Sequence, residues 1–320
     1  MSSFLVTGGA GFIGSHLADF LVERGEHVRV VDNLSTGALQ NLAQVRDRVE
    51  FVEGDLAEPE IAAAAVRDME YVLHQAALPS VPRSVAQPVA SHHANVTATV
   101  NLLNAARDAG VRRFVYAGSS SVYGDQPGDC KHEDMPPKPL SPYAAAKTAC
   151  EYYLRAFHVC YGLETVGLRY FNVFGPRQRP DSAYAAVIPR FIGAILAGEA
   201  PTVYGDGAQA RDFTYVENNV WANWLAATGG YAACGQVYNI ACGEARSLLE
   251  LVAALNRQVG AGIAPRFTAP RVGDIRLSRA DIGRATADLG YRVRVPFEEG
   301  LKRTLDWFRQ AGTGDHRPGT

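Results

Sequence analysis

The chain is poor in the features that mark several protein classes. Its five cysteines, Cys130, Cys150, Cys160, Cys234 and Cys242, are odd in number, scattered, and include no Cys-x-x-Cys pair. A disulfide framework and a zinc site are therefore not expected, and a reducing compartment is. There is no basic excess: 31 Lys and Arg face 33 Asp and Glu, a net charge of −2. The electrostatic reason to expect nucleic acid or an anionic membrane as partner is absent. No uninterrupted apolar run reaches the roughly 18 residues that span a bilayer. The first residues lack a basic segment, and glycines interrupt any apolar stretch there, so no signal peptide is read. These absences predict a soluble cytoplasmic protein without a metal. What the sequence does have is 47% hydrophobic residues and 31 glycines in 320 residues. That suffices for about two domains or one large α/β unit, and without a Gly-X-Y period the glycines must serve turns and close approaches.

Short β-branched runs alternate with helical patterns through the first half, the signature of βαβ units and a parallel sheet. Strands are predicted at 4–6, 27–31, 49–52, 71–73, 113–117 and 165–169. Helices are predicted around 14–23, 61–66, 89–109 and 143–161. After Phe174 the prolines at 176, 180, 189 and 201 and the Gly205-Asp206-Gly207 run predict a smaller, loop-rich substrate region. Residues 311–320, polar and rich in glycine, are expected to form a flexible tail.

Gly8, Gly11 and Gly14 form G-x-x-G-x-x-G between the first strand and the first helix. Glycine closes such a turn, admits a pyrophosphate to the backbone N–H groups, and lets helix pack on strand. Asp32 lies 18 positions beyond Gly14, at the end of the second strand. A carboxylate there can bind both hydroxyls of an adenosine ribose and would repel a 2′-phosphate, which favours NAD over NADP. Read alone, Asp32 could simply cap its own loop. Asp55 could face the adenine amino group or serve the turn Gly54-Asp55-Leu56.

Tyr143 and Lys147 stand at i and i+4, on one face of the helix after Pro142. A phenol is a poor base at neutral pH, but a neighbouring ammonium and a cationic nicotinamide would stabilise its phenolate. Ser119-Ser120-Ser121 ends the fifth strand, where parallel sheets place their ligands, and a serine there can share a substrate hydroxyl's proton.

The chain resembles the extended short-chain dehydrogenase/reductases, and among them the nucleotide-sugar 4-epimerases, from about Phe4 to Trp307. The resemblance rests on the glycine loop, Val31-Asp32-Asn33, Gly54-Asp55-Leu56, His74-Gln75-Ala76-Ala77, Ser119 to Gly124, Ser141-Pro142-Tyr143 with Lys147, Leu168 to Pro176, Arg211-Asp212-Phe213 and Gly273-Asp274. It implies a Rossmann-type doubly wound parallel sheet with a smaller α/β substrate domain. Residues 1–170, joined by about 213–242, would form the NAD-binding domain, and 171–212 with 243–310 the substrate domain. Tightly bound NAD would be held by Gly8, Gly11, Phe12, Ile13, Gly14, Asp32, Asn33, Ser35, Gly37, Asp55, Leu56, Gln75, Ala76, Ala77, Tyr143, Lys147 and Tyr170. Catalysis would fall to Tyr143 as base, with Lys147, Ser119 and Ser121. A UDP-sugar would meet Ser80, Ser119, Ser120, Tyr143, Asn172, Gln178, Ala186, Val187, Tyr204, Arg211, Arg271, Asp274 and Ser278.

The resemblance also narrows the reaction. Related dehydratases carry Asp-Glu after the first hydroxyl residue, and related decarboxylases carry a glutamate in this turn. Here both positions are serine. A base, a hydride acceptor and hydroxyls remain, sufficient for reversible oxidation at C4 through a 4-keto sugar. Ser278 matches a position where epimerases of plain hexoses carry tyrosine, so the smaller residue implies room for a 2-acetamido group. UDP-N-acetylglucosamine and UDP-N-acetylgalactosamine are the expected pair, with UDP-glucose and UDP-galactose accepted. Pro79 and the Arg177-Gln178-Arg179-Pro180-Asp181 stretch depart from that pattern, and the latter resembles uronate enzymes, so UDP-glucuronate 4-epimerase is an alternative. A catalytically silent NAD-binding regulator is another, against which the intact Tyr143–Lys147 pair argues. A homodimer through the two long helices, in a four-helix bundle, is also implied.

Overall fold

The computed structural model describes residues 1–179, 186–270 and 275–313. Strand β1 (Ser3–Thr7) is a continuous apolar run whose Phe4, Leu5 and Val6 are fully buried, as a strand covered on both faces requires. It pairs in parallel with β2 (His27–Asp32) on one side and β4 (Tyr71–His74) on the other. Beyond β2 lies β3 (Glu50–Glu53); beyond β4 lie β5 (Arg113–Ser119) and β6 (Glu164–Tyr170). A seventh strand, Gln236–Ile240, pairs with β6 and closes that edge. The sheet order, the last strand followed by β6-β5-β4-β1-β2-β3, reverses direction between β1 and β4. This is the Rossmann-type arrangement, with its switch point above the carboxyl ends of those two strands.

Helices cover both faces. Helix α1 (Phe12–Glu23) and the Val216–Thr228 helix bury Leu17, Leu21, Val220 and Ala226 against one face. On the other, α2 (Pro59–Val66) and the Ala98–Asp108 and Pro142–Tyr161 helices bury Val66, Leu102, Cys150 and Leu154. Each such buried Leu contributes about 1.5–3 kcal/mol of transfer free energy. The Pro142–Tyr161 helix shows why sequence reading found it. Ser141 accepts the Ala144 N–H, Pro142 sits where no N–H is needed, and Gly162 ends the helix at φ 71°.

The run expected as one helix over 89–109 differs in detail. It is Pro88–His92, then a π-helical turn at His93–Thr97, then Ala98–Asp108. A third core gathers Phe174, Ile192, Phe213, Leu251 and Leu301 under the Val187–Leu196, Leu248–Val259 and Phe297–Thr313 helices. The last of these reaches Thr313, three residues into the stretch expected to be tail.

Candidate active site

A cleft of about 850 Å³ opens over the carboxyl ends of β1, β2, β4, β5 and β6. Its floor is the glycine loop. Gly8 has φ 63°, and a Cβ there would stand 2.8 Å from the Ala76 backbone. A Cβ on Gly14 would run into the Gly8 carbonyl. Gly11 is the N-cap of α1 and brings no side-chain acceptor to the helix's first N–H groups. Those donors are left for an anion, and the helix dipole adds positive potential there. A pyrophosphate fits this cradle.

Asp32, 8% exposed, ends β2 in the cleft wall. Its Oδ2 accepts the Ala10 N–H at 3.0 Å and its Oδ1 the Leu34 N–H at 2.8 Å. The two bonds fix the carboxylate with lone pairs to spare for ribose hydroxyls. Burial raises its pKa, against those hydrogen bonds. Asp55 divides its oxygens between the Ala57 N–H and the Asn33 amide, so turn and wall are served together. Phe12, Ile13, Asn33, Ser35, Leu56, Gln75, Ala76, Ala77 and Tyr170 line the same cleft. Gly37 does not; it lies behind Asp32, where a Cβ would approach Oδ2 to 3.0 Å.

The four residues that the sequence assigns to catalysis, Ser119, Ser121, Tyr143 and Lys147, line one cleft. The Ser119 hydroxyl lies in the cleft with the Tyr143 phenol and accepts from both the Ser121 hydroxyl, at 2.9 Å, and its N–H. Burial pushes the phenol up to about 12, outweighing the lowering effect of the nearby Ser119 hydroxyl. Lys147 donates to the Ala117 carbonyl at 2.7 Å and lies 5.8 Å from the Tyr143 ring centre. Burial pulls its ammonium down to about 8, so it remains mostly charged at neutral pH.

Ser80, Ser120, Asn172, Gln178, Ala186, Arg211 and Ser278, expected to meet the substrate, line the same cleft. The Ser80 hydroxyl caps the short Val81–Ala86 helix by accepting the Arg83 N–H. Val187 and Tyr204 do not reach the main cleft. They line an adjoining recess of about 250 Å³ that shares Asn172, Ala186 and Arg211 with it. Arg271 and Asp274 lie outside the described residues.

Several supporting residues were not legible in the sequence. Asn223 donates to the Tyr170 hydroxyl at 2.6 Å and accepts from Gln75 at 3.0 Å, while Tyr170 donates to Gln75 at 3.2 Å. His74 bridges Thr7 and Thr99 at 2.7 and 2.9 Å, and Thr7 in turn accepts the Ala76 N–H. Asn95, in the π turn, accepts the Leu78 N–H at 3.0 Å. Together these hold the 75–78 segment over the cleft. Asn223 lies on the Val216–Thr228 helix with Asn218 and Asn219, all fully buried, so its amide must find partners inside the protein, and nothing in the sequence singles it out from the other two. Lys131, 3% exposed, and Arg83 also line the cleft.

Comparison with known proteins agrees with this geometry. The family described as "NAD dependent epimerase/dehydratase family" matches residues 4–241. A UDP-glucose 4-epimerase from Mycolicibacterium smegmatis is 42% identical over 309 residues, 95% of this chain and 98% of that protein. The solved UDP-N-acetylglucosamine 4-epimerase from Methanobrevibacter ruminantium, in complex with UDP-N-acetylmuramic acid, is 40% identical with a TM-score of 0.92, covering 97% of this chain and 99% of that one. A Thermus thermophilus UDP-glucose 4-epimerase solved with NAD is 39% identical with a TM-score of 0.88, covering 97% and 99%. Among the described residues, no helix is long and apolar enough to cross a membrane.

Proposed function

Because the chain belongs to the NAD-dependent epimerase/dehydratase family, we propose that it is a UDP-sugar 4-epimerase acting on UDP-N-acetylglucosamine and UDP-N-acetylgalactosamine, with UDP-glucose and UDP-galactose also accepted. The observation that carries this reading is the meeting of Tyr143, Ser119 and Lys147 at the end of β5, with serines rather than carboxylates at 120 and 121.

Residues 1–170 with 213–242 carry the cofactor, in the cradle of Gly8, Gly11 and Gly14 and against Asp32. Bound there, NAD⁺ would supply a reversible hydride acceptor for C4 and a positive charge that favours the Tyr143 phenolate. Ser119 holds the sugar's O4 hydroxyl and passes its proton toward the Tyr143 phenolate as the C4–O4 bond becomes a carbonyl. Lys147, kept charged and desolvated, favours that phenolate. The 4-keto sugar turns about its phosphate linkage, and Tyr143 returns the proton to O4 once the other face is presented. Asn172 and Arg211 anchor the nucleotide during this turn, Arg211 because a guanidinium fork matches phosphate oxygens. Ser278 lines the cleft with a small side chain, which supports room for an acetamido group.

The exposed apolar side chains Val85, Val89, Tyr152 and Val159 support a homodimer built on the helices that carry them. The substrate assignment is tested by product analysis on a panel of UDP-sugars. Interconversion of the two acetamido sugars is expected. Turnover of UDP-glucuronate with none on acetamido sugars would overturn it in favour of the uronate reading.

A further inference from the structure

Lys131 is a buried cation that the mechanism leaves unused. It is 3% exposed and lines the cleft that holds Ser119 and Tyr143. Its side chain donates to the Gln126 carbonyl, a neutral acceptor. Among the described residues no carboxylate pairs with it. The nearby acids are engaged elsewhere, Glu133 by the Asn239 N–H and Asp281 by the Gly283 N–H. An ammonium carries three donors, and removing a charge from water without an anion is costly. Such a group lining a ligand cleft points to a ligand that brings an acceptor.

The backbone fixes where that acceptor would lie. Lys131 forms a parallel bridge with Ala280, and its N–H donates to the Arg279 carbonyl at 2.8 Å. The Asp281 N–H donates to the Lys131 carbonyl at 2.8 Å, and the Asn239 amide donates to the same oxygen at 2.9 Å. Lys131 is thereby stitched to the segment directly following Ser278, so the two residues belong to one wall of the cleft. Gln126, which receives the ammonium, is itself tied to the Tyr123 and Pro136 carbonyls at 2.8 and 2.9 Å. The cation is therefore held on a rigid support rather than at the end of a loose side chain.

We propose that Lys131 is a specificity-determining residue that donates a hydrogen bond to the carbonyl oxygen of the sugar's 2-acetamido group. This rests on the acetamido reading above and deepens it: Ser278 provides volume, and Lys131 provides the donor that makes the volume selective. Volume alone discriminates weakly, whereas a built hydrogen-bonding group discriminates strongly, because a substrate lacking the acceptor leaves it unpaired.

The test compares Lys131→Met and Lys131→Gln holoenzymes with wild type on UDP-N-acetylglucosamine and UDP-glucose, with UDP inhibition and thermal melting measured alongside. The expected result is about a tenfold fall in the acetamido-to-glucose ratio of kcat/KM for Lys131→Met, most of it in KM. Lys131→Gln, which keeps a donor, recovers part of that ratio. An equal loss on both sugars overturns the proposal and makes Lys131 a loop support. Selective loss on UDP-glucuronate overturns it in favour of carboxylate recognition. Wild type inactive on acetamido sugars defeats the substrate reading itself, and is seen before any variant is compared.

Discussion

The Ser84 hydroxyl accepts the backbone N–H of Tyr143 at 3.1 Å and donates to the Val81 carbonyl at 2.7 Å. This joins the helix that carries Tyr143 to the short Val81–Ala86 helix, whose cap Ser80 and residue Arg83 both line the cleft. Ser84 is 1% exposed, so water cannot replace it. Ser84→Ala is expected to cost about 1 kcal/mol of stability, as loss of a helix-terminal acceptor does. If the contact also sets the phenol's position, kcat falls several-fold with KM little changed, and Ser84→Thr restores much of it. Steady-state kinetics with a thermal melt separates the two effects.

Removing the phenol hydroxyl tests the base directly. Tyr143→Phe is expected to lower kcat by about 10²–10⁴, the usual worth of a positioned proton-transfer group. The fold is not expected to change, since the helix is held by Ser141, Ser84 and its buried face. Cofactor retained after gel filtration should stay near the wild-type amount. Unchanged turnover would defeat the mechanism.

Acid sensitivity should trace in part to His74. It is wholly buried between Thr7 and Thr99, and burial pulls its pKa from 6.5 down to about 3. In the unfolded chain it takes a proton below 6.5; in the folded protein it stays neutral until about 3. Between these values the unfolded state binds more protons, so stability falls as the pH falls through this window. The slope from this one group is at most about 1.4 kcal/mol per pH unit. Above the window its contribution is constant. Urea titrations from pH 7 to 4 should show a shallower decline for His74→Gln than for wild type, after each is referenced to its own value at pH 7.

The exposed apolar face can be tested by charge. Tyr152 is 61% exposed and Val89 81% on helices proposed to pair between subunits. Val89→Asp combined with Tyr152→Glu is expected to shift the protein to a monomer in sedimentation velocity. A wild-type monomer at micromolar concentration would remove the dimer from the account.

What the sequence determined by itself is local or strictly ordered along the chain. Strand β1, the glycine loop and Asp32 are legible because a βα turn around a pyrophosphate needs particular residues at particular offsets. The Tyr143 helix is legible because Ser141, Pro142 and Gly162 mark its ends, and Tyr143 and Lys147 share a face by helical geometry alone. The resemblance to sugar-nucleotide epimerases added Ser119 as their partner from 24 positions upstream.

Tertiary structure decided what depends on residues far apart. The strand at Gln236–Ile240 finds β6 across a long connection that includes the Val187–Leu196 and Val216–Thr228 helices, a pairing with no local signature. Gly37 is displaced behind Asp32, and Val187 and Tyr204 into an adjoining recess, because packing rather than motif order sets which side chains face a cavity. The π turn at Asn95 and the Asn223–Tyr170–Gln75 network arise from the need to pair buried polar groups. Lys131 reaches the same wall as Ser278 through a bridge spanning nearly 150 positions of sequence. Periodicity and spacing record how a segment folds on itself; which segment then meets it is settled by long-range burial and hydrogen bonding, and is read only in three dimensions.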